Sequence, residues 1–296
     1  MLTAEELLRR VDGLRQARLK DTRAPHKPLL LLYLLGRLES AGSSRVGYRE
    51  AEPQVSRLIA EFGPPARSRH RAALPFFHLD RSLWQLSPQT ARAQHGHLLG
   101  SEAQGSLAPE VEALLCADPA LRGALVQRLL ETNFPESYFD PICAAVGLPR
   151  PQGASSAASS PSATTRRRDP RFREAVFVAY GYACAMCGYD GRLGRDPVGL
   201  EAAHVRWWAF AGPDEVRNAL ALCELHHKLF DRGALGLGPD HTIRVSPAFS
   251  AGSEATRRLI GGLEGQPVRS PHLPDHALAR EFITWHSAQV FRPQVL

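Results

Sequence analysis

Four residues in the second half of this chain have the types and spacing of a tetrahedral metal site. Cys184 and Cys187 form a Cys-x-x-Cys knuckle, and Cys223 and His226 follow as a Cys-x-x-His pair. A knuckle aims two thiolates at one point, and a second pair closes a tetrahedron around Zn²⁺. Four protein ligands leave no open position, so the ion would be a structural staple and not a reaction centre. A redox Cys-x-x-Cys or a set of incidental cysteines are the competing readings; the later Cys-x-x-His favours zinc. His204, Asn218 and His227 lie between and beside these ligands, and a closed zinc site does not use them. Asp231 follows His227 by four residues, which places both on one face of a helix.

The surrounding pattern sets the elements that must position these groups. Residues 172–182 form an apolar helical run. Residues 198–205 suit a short strand that ends near His204, residues 218–222 alternate as a second strand, and residues 224–231 suit a helix. Alternation along the first strand turns Glu201 away from His204. Residues 234–237 and 242–245 read as a hairpin across Pro239-Asp240, and residues 277–290 as a C-terminal helix.

The order His204, Asn218, His227 inside the cysteine frame, followed by Phe230-Asp231-Arg232-Gly233, resembles the HNH nucleases and their ββα-metal fold. The resemblance covers about residues 168–246. It implies that His204 is the general base that activates water against a phosphodiester. It implies that Asn218 orients the loop and the His204 ring, and that His227 binds one catalytic Mg²⁺ or Mn²⁺. Such an ion polarises the scissile phosphate and stabilises the leaving oxygen. Asp231 reads either as a second ligand of that ion or as a cap at the helix end beside Gly233. Many HNH nucleases place an aspartate immediately before the base histidine; this chain has Ala203 there, which leaves the ion's ligand set open.

A length of 296 residues suits two domains, and a hydrophobic content of 44% is that of a globular chain. No run of 18 apolar residues marks a membrane span, and the N-terminus lacks a basic-then-apolar leader, so a cytoplasmic location is expected. Cys116 and Cys143 fall in helical patterns as buried thiols, which suits a reducing compartment. The net charge of +6 is compatible with a polyanionic partner, and only three of the 36 basic residues are lysines. Arginine forks match phosphates in pairs, although much of the arginine reflects an Ala-, Gly-, Pro- and Arg-rich composition.

The first half reads as helices followed by a hairpin. Residues 2–19 are amphipathic, with Thr3 and Glu6 as a capping box. Pro25 and Pro28 lead into a buried helix that ends near Gly42, and residues 48–62 form another helix. Residues 74–79 and 83–86 read as two strands joined at 80–82, which suggests a winged-helix-like module. Residues 111–115, 120–130 and 138–146 are helical. The span 149–165 is rich in Ser, Ala, Pro and Gly, a linker composition, and Arg166, Arg167 and Arg168 follow it at the entry to the second domain. The expected organisation is α+β: a helical, winged-helix-like DNA-reading domain over 1–150, a linker over 151–165, and a zinc-stapled HNH domain over 166–296.

Arg23-Ala-Pro-His-Lys-Pro28 before the leucine run, residues 67–71, Leu74-Pro-Phe-Phe-His-Leu79 and Phe134-Pro-Glu136 resemble the sulfur-binding domain of restriction endonucleases that act on phosphorothioated DNA. Those enzymes carry a C-terminal HNH domain, the order seen here. Sulfur in place of a phosphate oxygen is larger, more polarisable and a poorer hydrogen-bond acceptor, so a reader of it should join an apolar wall to nearby cations. Pro25, Pro75 and Phe76 are candidates for the wall. Arg23, His26, Lys27, Arg67, Arg69, His70, Arg71 and His78 are candidates for the flanking phosphates, with Arg166–Arg168 as further DNA contacts. Double-stranded DNA is the expected partner, probed by two active sites in a homodimer if both strands are cut. Methylated or unmodified DNA as substrate, and a DNA-binding regulator without catalysis, are the alternatives.

Overall fold

The computed structural model describes residues 2–19, 22–65, 69–89, 91–150 and 169–293. The chain divides into two compact units, Met1–Ala157 and Ala158–Leu296. Among the described residues no helix is long and apolar enough to cross a membrane.

In the first unit, helix α1 (Ala4–Asp12) starts where the Thr3 hydroxyl accepts the Glu6 amide at 3.2 Å. Acidic residues in its first turn and arginines in its last suit the helix dipole. It stops at Gly13, short of the expected residue 19. Residues Arg18–Leu19 (β1) and Thr22–Arg23 (β2) pair antiparallel instead. Helix α2 (His26–Ala41) is apolar on nearly every side and buried accordingly, and Gly42 ends it in the left-handed conformation at φ 69°. A methyl group at Gly36 would lie 1.9 Å from the Val146 carbonyl oxygen, so glycine is what allows α2 its close neighbour. Helix α3 (Tyr48–Phe62) follows β3 (Val46–Gly47) directly.

Residues Ala73–His78 form a helix, α4, where a strand was expected. A short continuous apolar run does not distinguish the two by pattern, and here packing decides. Phe76 is fully buried between Tyr48 and Trp84, with ring centroids 5.2 and 5.1 Å away in edge-on contacts. The Trp84 indole donates to the Phe76 carbonyl at 2.9 Å, which satisfies a carbonyl near the helix end. The expected 74–86 hairpin is therefore absent. Strand β4 (Trp84–Ser87) pairs instead with β5 (Gln104–Leu107), across helix α5 (His95–Gly100), in an antiparallel sheet of order β3-β5-β4. Helices α6 (Pro109–Ala117), α7 (Pro119–Asn133) and α8 (Phe139–Val146) complete the unit.

The second unit is built on one hairpin. Helix α9 (Phe172–Ala179) precedes a small ladder of β6 (Arg192–Leu193) and β7 (Asp196–Pro197). Strands β8 (Leu200–His204) and β9 (Ala219–Cys223) pair antiparallel, with His204 opposite Ala219 and Leu200 opposite Cys223. Helix α10 (Glu224–Asp231) leaves β9 without a break. Both α9 and α10 pack on the β8–β9 hairpin. Strands β10 (Leu235–Leu237) and β11 (Ile243–Val245) form the second expected hairpin, followed by a short turn of helix α11 (Glu254–Thr256) and by α12 (Arg280–Gln289). Val176, Phe177, Leu220, Leu222, Phe230 and Ile283 lie in one core beneath these elements.

Candidate active site and metal centre

Ligand atoms of Cys184, Cys187, Cys223 and His226 lie within 4.8 Å of one another. His226 Nδ1 stands 3.2 Å from Cys223 Sγ and 3.5 Å from Cys184 Sγ. Ligands about 2.0–2.3 Å from a zinc ion are separated by roughly 3.3–3.8 Å on a tetrahedron, so the donor set fits. The knuckle is fixed locally. The Cys184 amide donates to the Tyr189 carbonyl, Gly188 returns the chain at φ 76°, and the Ala185 amide reaches across to the Ala221 carbonyl of β9 at 2.7 Å. The neighbouring thiol of Cys223 and the His226 ring push Cys184 down from the usual thiol value, to about 3, and the Cys184 sulfur pushes Cys223 up. Thiols that ligate a metal must be deprotonated, so an ion bound here would displace thiol protons.

His204 ends β8. Its Nε2 lies 2.8 Å from Asp214 Oδ1, and the other Asp214 oxygen accepts the Asp169 amide at 2.7 Å. The ring stacks on Phe172 of α9, centroids 4.4 Å apart and 18° from parallel. Asn218 is completely buried and spends its amide on backbone. It accepts from the Arg206 amide at 2.8 Å and donates to the Arg206 and Pro213 carbonyls at 3.0 Å each. It thereby closes the loop 205–213, which begins after His204 and ends at Asp214.

His227 sits on α10 between two carboxylates. Nδ1 is 2.6 Å from Glu201 Oε2, and Nε2 is 3.2 Å from Asp231 Oδ2. Burial alone would lower the His227 pKa, but Asp231 and Glu201 outweigh it and raise it to about 10; the same bond to His227 lowers Glu201. Asp231 is buried, and its other oxygen accepts the Trp207 indole N–H at 2.9 Å. Its two carboxylate oxygens thus meet the His227 ring and the Trp207 indole. The position before His204 is Ala203, fully buried. Alternation puts Glu201 on the Ala203 face of β8, toward α10, and leaves His204 on the other face, toward α9. Glu201 thus stands on the same face as Ala203, two residues upstream, and pairs with His227. Neither Glu201 as the partner of His227 nor Asp214 as the partner of His204 was anticipated. The parity of 201 and 203 would have found the first; nothing local to the sequence marks the second.

In the first unit α4 packs on α2, which brings two of the expected reading segments together. His26, the first residue of α2, is largely buried, and its Nε2 has no hydrogen-bond partner. Burial and then the nearby Arg71 lower its pKa to about 4. Burial likewise lowers Lys27, with Asp80 opposing it. Arg23, Arg69 and His78 are exposed and Arg71 is half-buried. Pro25 and Pro75 are buried, and Phe76 lies in the core, where it cannot meet DNA. The exposed apolar side chain on α4 is Leu74, 58% accessible and not anticipated. His70 is bonded to Glu52 and stacked on His95. Arg67 and Arg166–Arg168, like the linker at 151–165, lie outside the described residues.

Comparison with known proteins agrees with this division. Residues 4–151 match the family described as ScoMcrA-like, DNA sulfur-binding domain, and residues 184–238 match the HNH endonuclease family. Among solved structures, the sulfur-binding domain of SprMcrA in complex with phosphorothioated DNA is 23% identical, covers 50% of this chain and 95% of its own, and superposes with a TM-score of 0.43. The corresponding domain of ScoMcrA is 22% identical, over 48% of this chain and 94% of its own, with a TM-score of 0.42. The Type IV phosphorothioation-dependent restriction endonuclease ScoMcrA is 13% identical over 95% of this chain and 99% of its own, with a TM-score of 0.37. No curated protein matches.

Proposed function

Because this chain belongs to the ScoMcrA-like DNA sulfur-binding family and carries an HNH endonuclease domain behind that module, we propose that it restricts phosphorothioated DNA. The reading domain would engage the modified backbone, and the HNH domain would hydrolyse a phosphodiester nearby. The observation that carries this reading is the presence of both modules in one chain with the His204, Asn218 and His227 set intact.

In the nuclease unit, Asp214 accepts the Nε2–H of His204 and so leaves the ring lone pair on Nδ1, the nitrogen that would take a proton from water. Asn218 holds the intervening loop so that this pairing is built before DNA arrives. His227 Nε2 and Asp231 Oδ2, 3.2 Å apart, match two adjacent ligands at about 2.1 Å from one octahedral ion, whose adjacent donors are roughly 3.0 Å apart. Glu201 then stands behind His227, fixing the tautomer that offers Nε2. When bound there, Mg²⁺ or Mn²⁺ supplies charge to the scissile phosphate and the leaving oxygen. The Cys184, Cys187, Cys223 and His226 set would hold Zn²⁺ and anchor the start of α10, and with it His227.

In the reading unit, Leu74 offers an exposed apolar side chain on the helix that follows Arg71, and Lys27 stands half-buried at the start of α2 beside the largely buried His26. An apolar group beside cations suits a thiophosphate better than a phosphate. Arg23 and Arg69 would hold register on flanking phosphates.

The test uses full-length protein. His204→Ala, which should bind without cutting, is titrated with two duplexes of one sequence, one carrying phosphorothioates, and the wild type is assayed on both with Mg²⁺ or Mn²⁺. Tighter binding and cleavage confined to the modified duplex are expected. Equal affinity for both duplexes would remove the sulfur assignment, and a His204→Ala protein that cuts at the wild-type rate would remove the nuclease assignment.

A further inference from the structure

His204 is braced by a segment that lies outside the HNH motif. The HNH family match begins at Cys184, whereas two groups that hold the His204 assembly come from residues 169–172. The sequence there, Asp169-Pro170-Arg171-Phe172, suits a type I turn, with aspartate at the first position and proline at the second. Arg171, at the third, has φ −86° and ψ −10°, as that turn requires. The Asp169 carbonyl accepts the Phe172 amide at 3.0 Å, and the Asp169 carboxylate accepts the Arg171 amide at 2.9 Å. The closed turn fixes the direction of the Asp169 N–H and the place of Phe172 at the start of α9.

The geometry points to Asp169 and Phe172 as positioning residues for His204, an inference that rests on the reading of His204 as the general base. A single hydrogen bond between His204 Nε2 and Asp214, 2.8 Å long, leaves the imidazole able to tilt about that bond. Phe172 removes the tilt, because its ring lies against the imidazole with centroids 4.4 Å apart and planes 18° from parallel. Trp208 stands farther off, at 6.3 Å and 52°, and does not set the plane. The Asp169 amide holds the second oxygen of Asp214 at 2.7 Å, so the carboxylate cannot turn away from Nε2. With the bond and the plane both fixed, the direction of Nδ1 is fixed, and Nδ1 is the nitrogen that would meet water. The aromatic face also favours the imidazolium formed when the base takes a proton. Phe172 is only partly buried, and the core packing of α9 is carried by Val176 and Phe177. Its ring therefore serves the histidine more than the fold.

Single-turnover cleavage of a phosphorothioated duplex by the full-length chain tests the assignment. Phe172→Leu keeps an apolar side chain with good helix propensity and removes the flat face. Its kcat should fall about 2- to 12-fold, with DNA affinity and the thermal midpoint unchanged. Phe172→Tyr, which keeps the face, should cut at the wild-type rate. Asp169→Ala leaves the ring but opens the turn, and should lose activity over the same range; it guards against a Phe172 variant that does not fold. Excess Mn²⁺ should repair none of these losses, because the metal half of the site is untouched. Combined with His204→Ala, neither substitution should slow the protein further. Wild-type rates in both Phe172→Leu and Asp169→Ala, beside an inactive His204→Ala, overturn this inference alone, as does a loss that Mn²⁺ repairs. A His204→Ala protein that cuts normally overturns the base assignment and this inference with it.

Discussion

The bond between His204 and Asp214 is the sharpest handle on the chemistry. Its partners are 2.8 Å apart, and their side chains are only 15% and 9% accessible, so solvent does little to screen them. Asp214 accepts twice, from His204 and from the Asp169 amide. Asp214→Asn keeps one oxygen. If that oxygen stays with Asp169, the new amide donates toward His204 Nε2 and drives the ring proton to Nδ1, the wrong tautomer for a base at that atom. The variant also loses the charge that stabilises the imidazolium formed when His204 takes a proton. A hydrogen bond to a charged group is worth about 1.5–3 kcal/mol. At 1.36 kcal/mol per decade, kcat should fall about 10- to 150-fold. Removing the base itself, in His204→Ala, should cost about 10²- to 10⁴-fold. The assay is single-turnover cleavage of a modified duplex at saturating enzyme, with DNA affinity measured separately and expected to be unchanged. The decisive comparison is the double variant, which should be no slower than His204→Ala alone, because Asp214 acts only through that ring. A normal rate in Asp214→Asn, or a further loss in the double variant, refutes the reasoning.

Other expectations follow from the same geometry. Glu201→Gln should weaken activation by Mg²⁺ or Mn²⁺ about 10- to 100-fold, with activity recovered at higher metal, because the carboxylate behind a metal-bound histidine sets its orientation. Cys223→Ser, or chelation of zinc, should abolish the cooperative thermal transition of the second unit; a structural zinc contributes about 10–16 kcal/mol, comparable to or larger than the whole stability of a domain. His26 is neutral in the folded chain, with a pKa lowered to about 4. The unfolded chain therefore binds the extra proton between about pH 6.5 and 4, and stability falls as pH drops through that window. About 2 kcal/mol should be lost between pH 7 and 5 in urea unfolding of the first unit, and His26→Gln should lack that loss. Gly36→Ala should destabilise the first unit by about 1–3 kcal/mol or more, since the added methyl meets the Val146 carbonyl and neither backbone can give way.

Much of the nuclease unit was legible from sequence because its signals are local. Cys-x-x-Cys, Cys-x-x-His and a helix beginning directly after a strand are all set by spacing, and α10 occupies the very residues expected of it. In the first unit the same reasoning reached α3, whose apolar residues recur at helical spacing. It failed at 74–79, where Leu74, Phe76 and Phe77 suit a strand as well as a helix. The choice was made by Tyr48 and Trp84 around Phe76, one of them 28 residues away in sequence. The expectation that Phe76 faces DNA failed for the same reason. Strand β5 escaped notice because its Gly105 has no side chain to keep an apolar alternation; the Trp84 indole occupies that space, and a methyl there would lie 2.0 Å from it. The pairing of His70 with Glu52 and His95 is invisible in the sequence because those residues are 18 and 25 positions away and nothing local announces them.

One short strand explains how the two halves of the nuclease site stay distinct. On β8, Glu201 points to α10 and His204 to the α9 side, so each imidazole has its own carboxylate on its own face. Ala203 between them is fully buried, and Glu201, two residues upstream of it on the same face, pairs with His227. The halves are then coupled through the loop 205–213: Asn218 pins its ends, and Trp207 reaches across to Asp231. Disturbing that loop should therefore affect both halves, whereas Glu201→Gln should respond to metal concentration and Asp214→Asn should not. Trp207→Phe keeps the ring and removes the indole donor to Asp231. It should lower metal affinity and leave the His204 pairing intact, so a rate restored by excess Mn²⁺ is expected. A deficit that no metal concentration repairs would mean that Trp207 acts on the base instead.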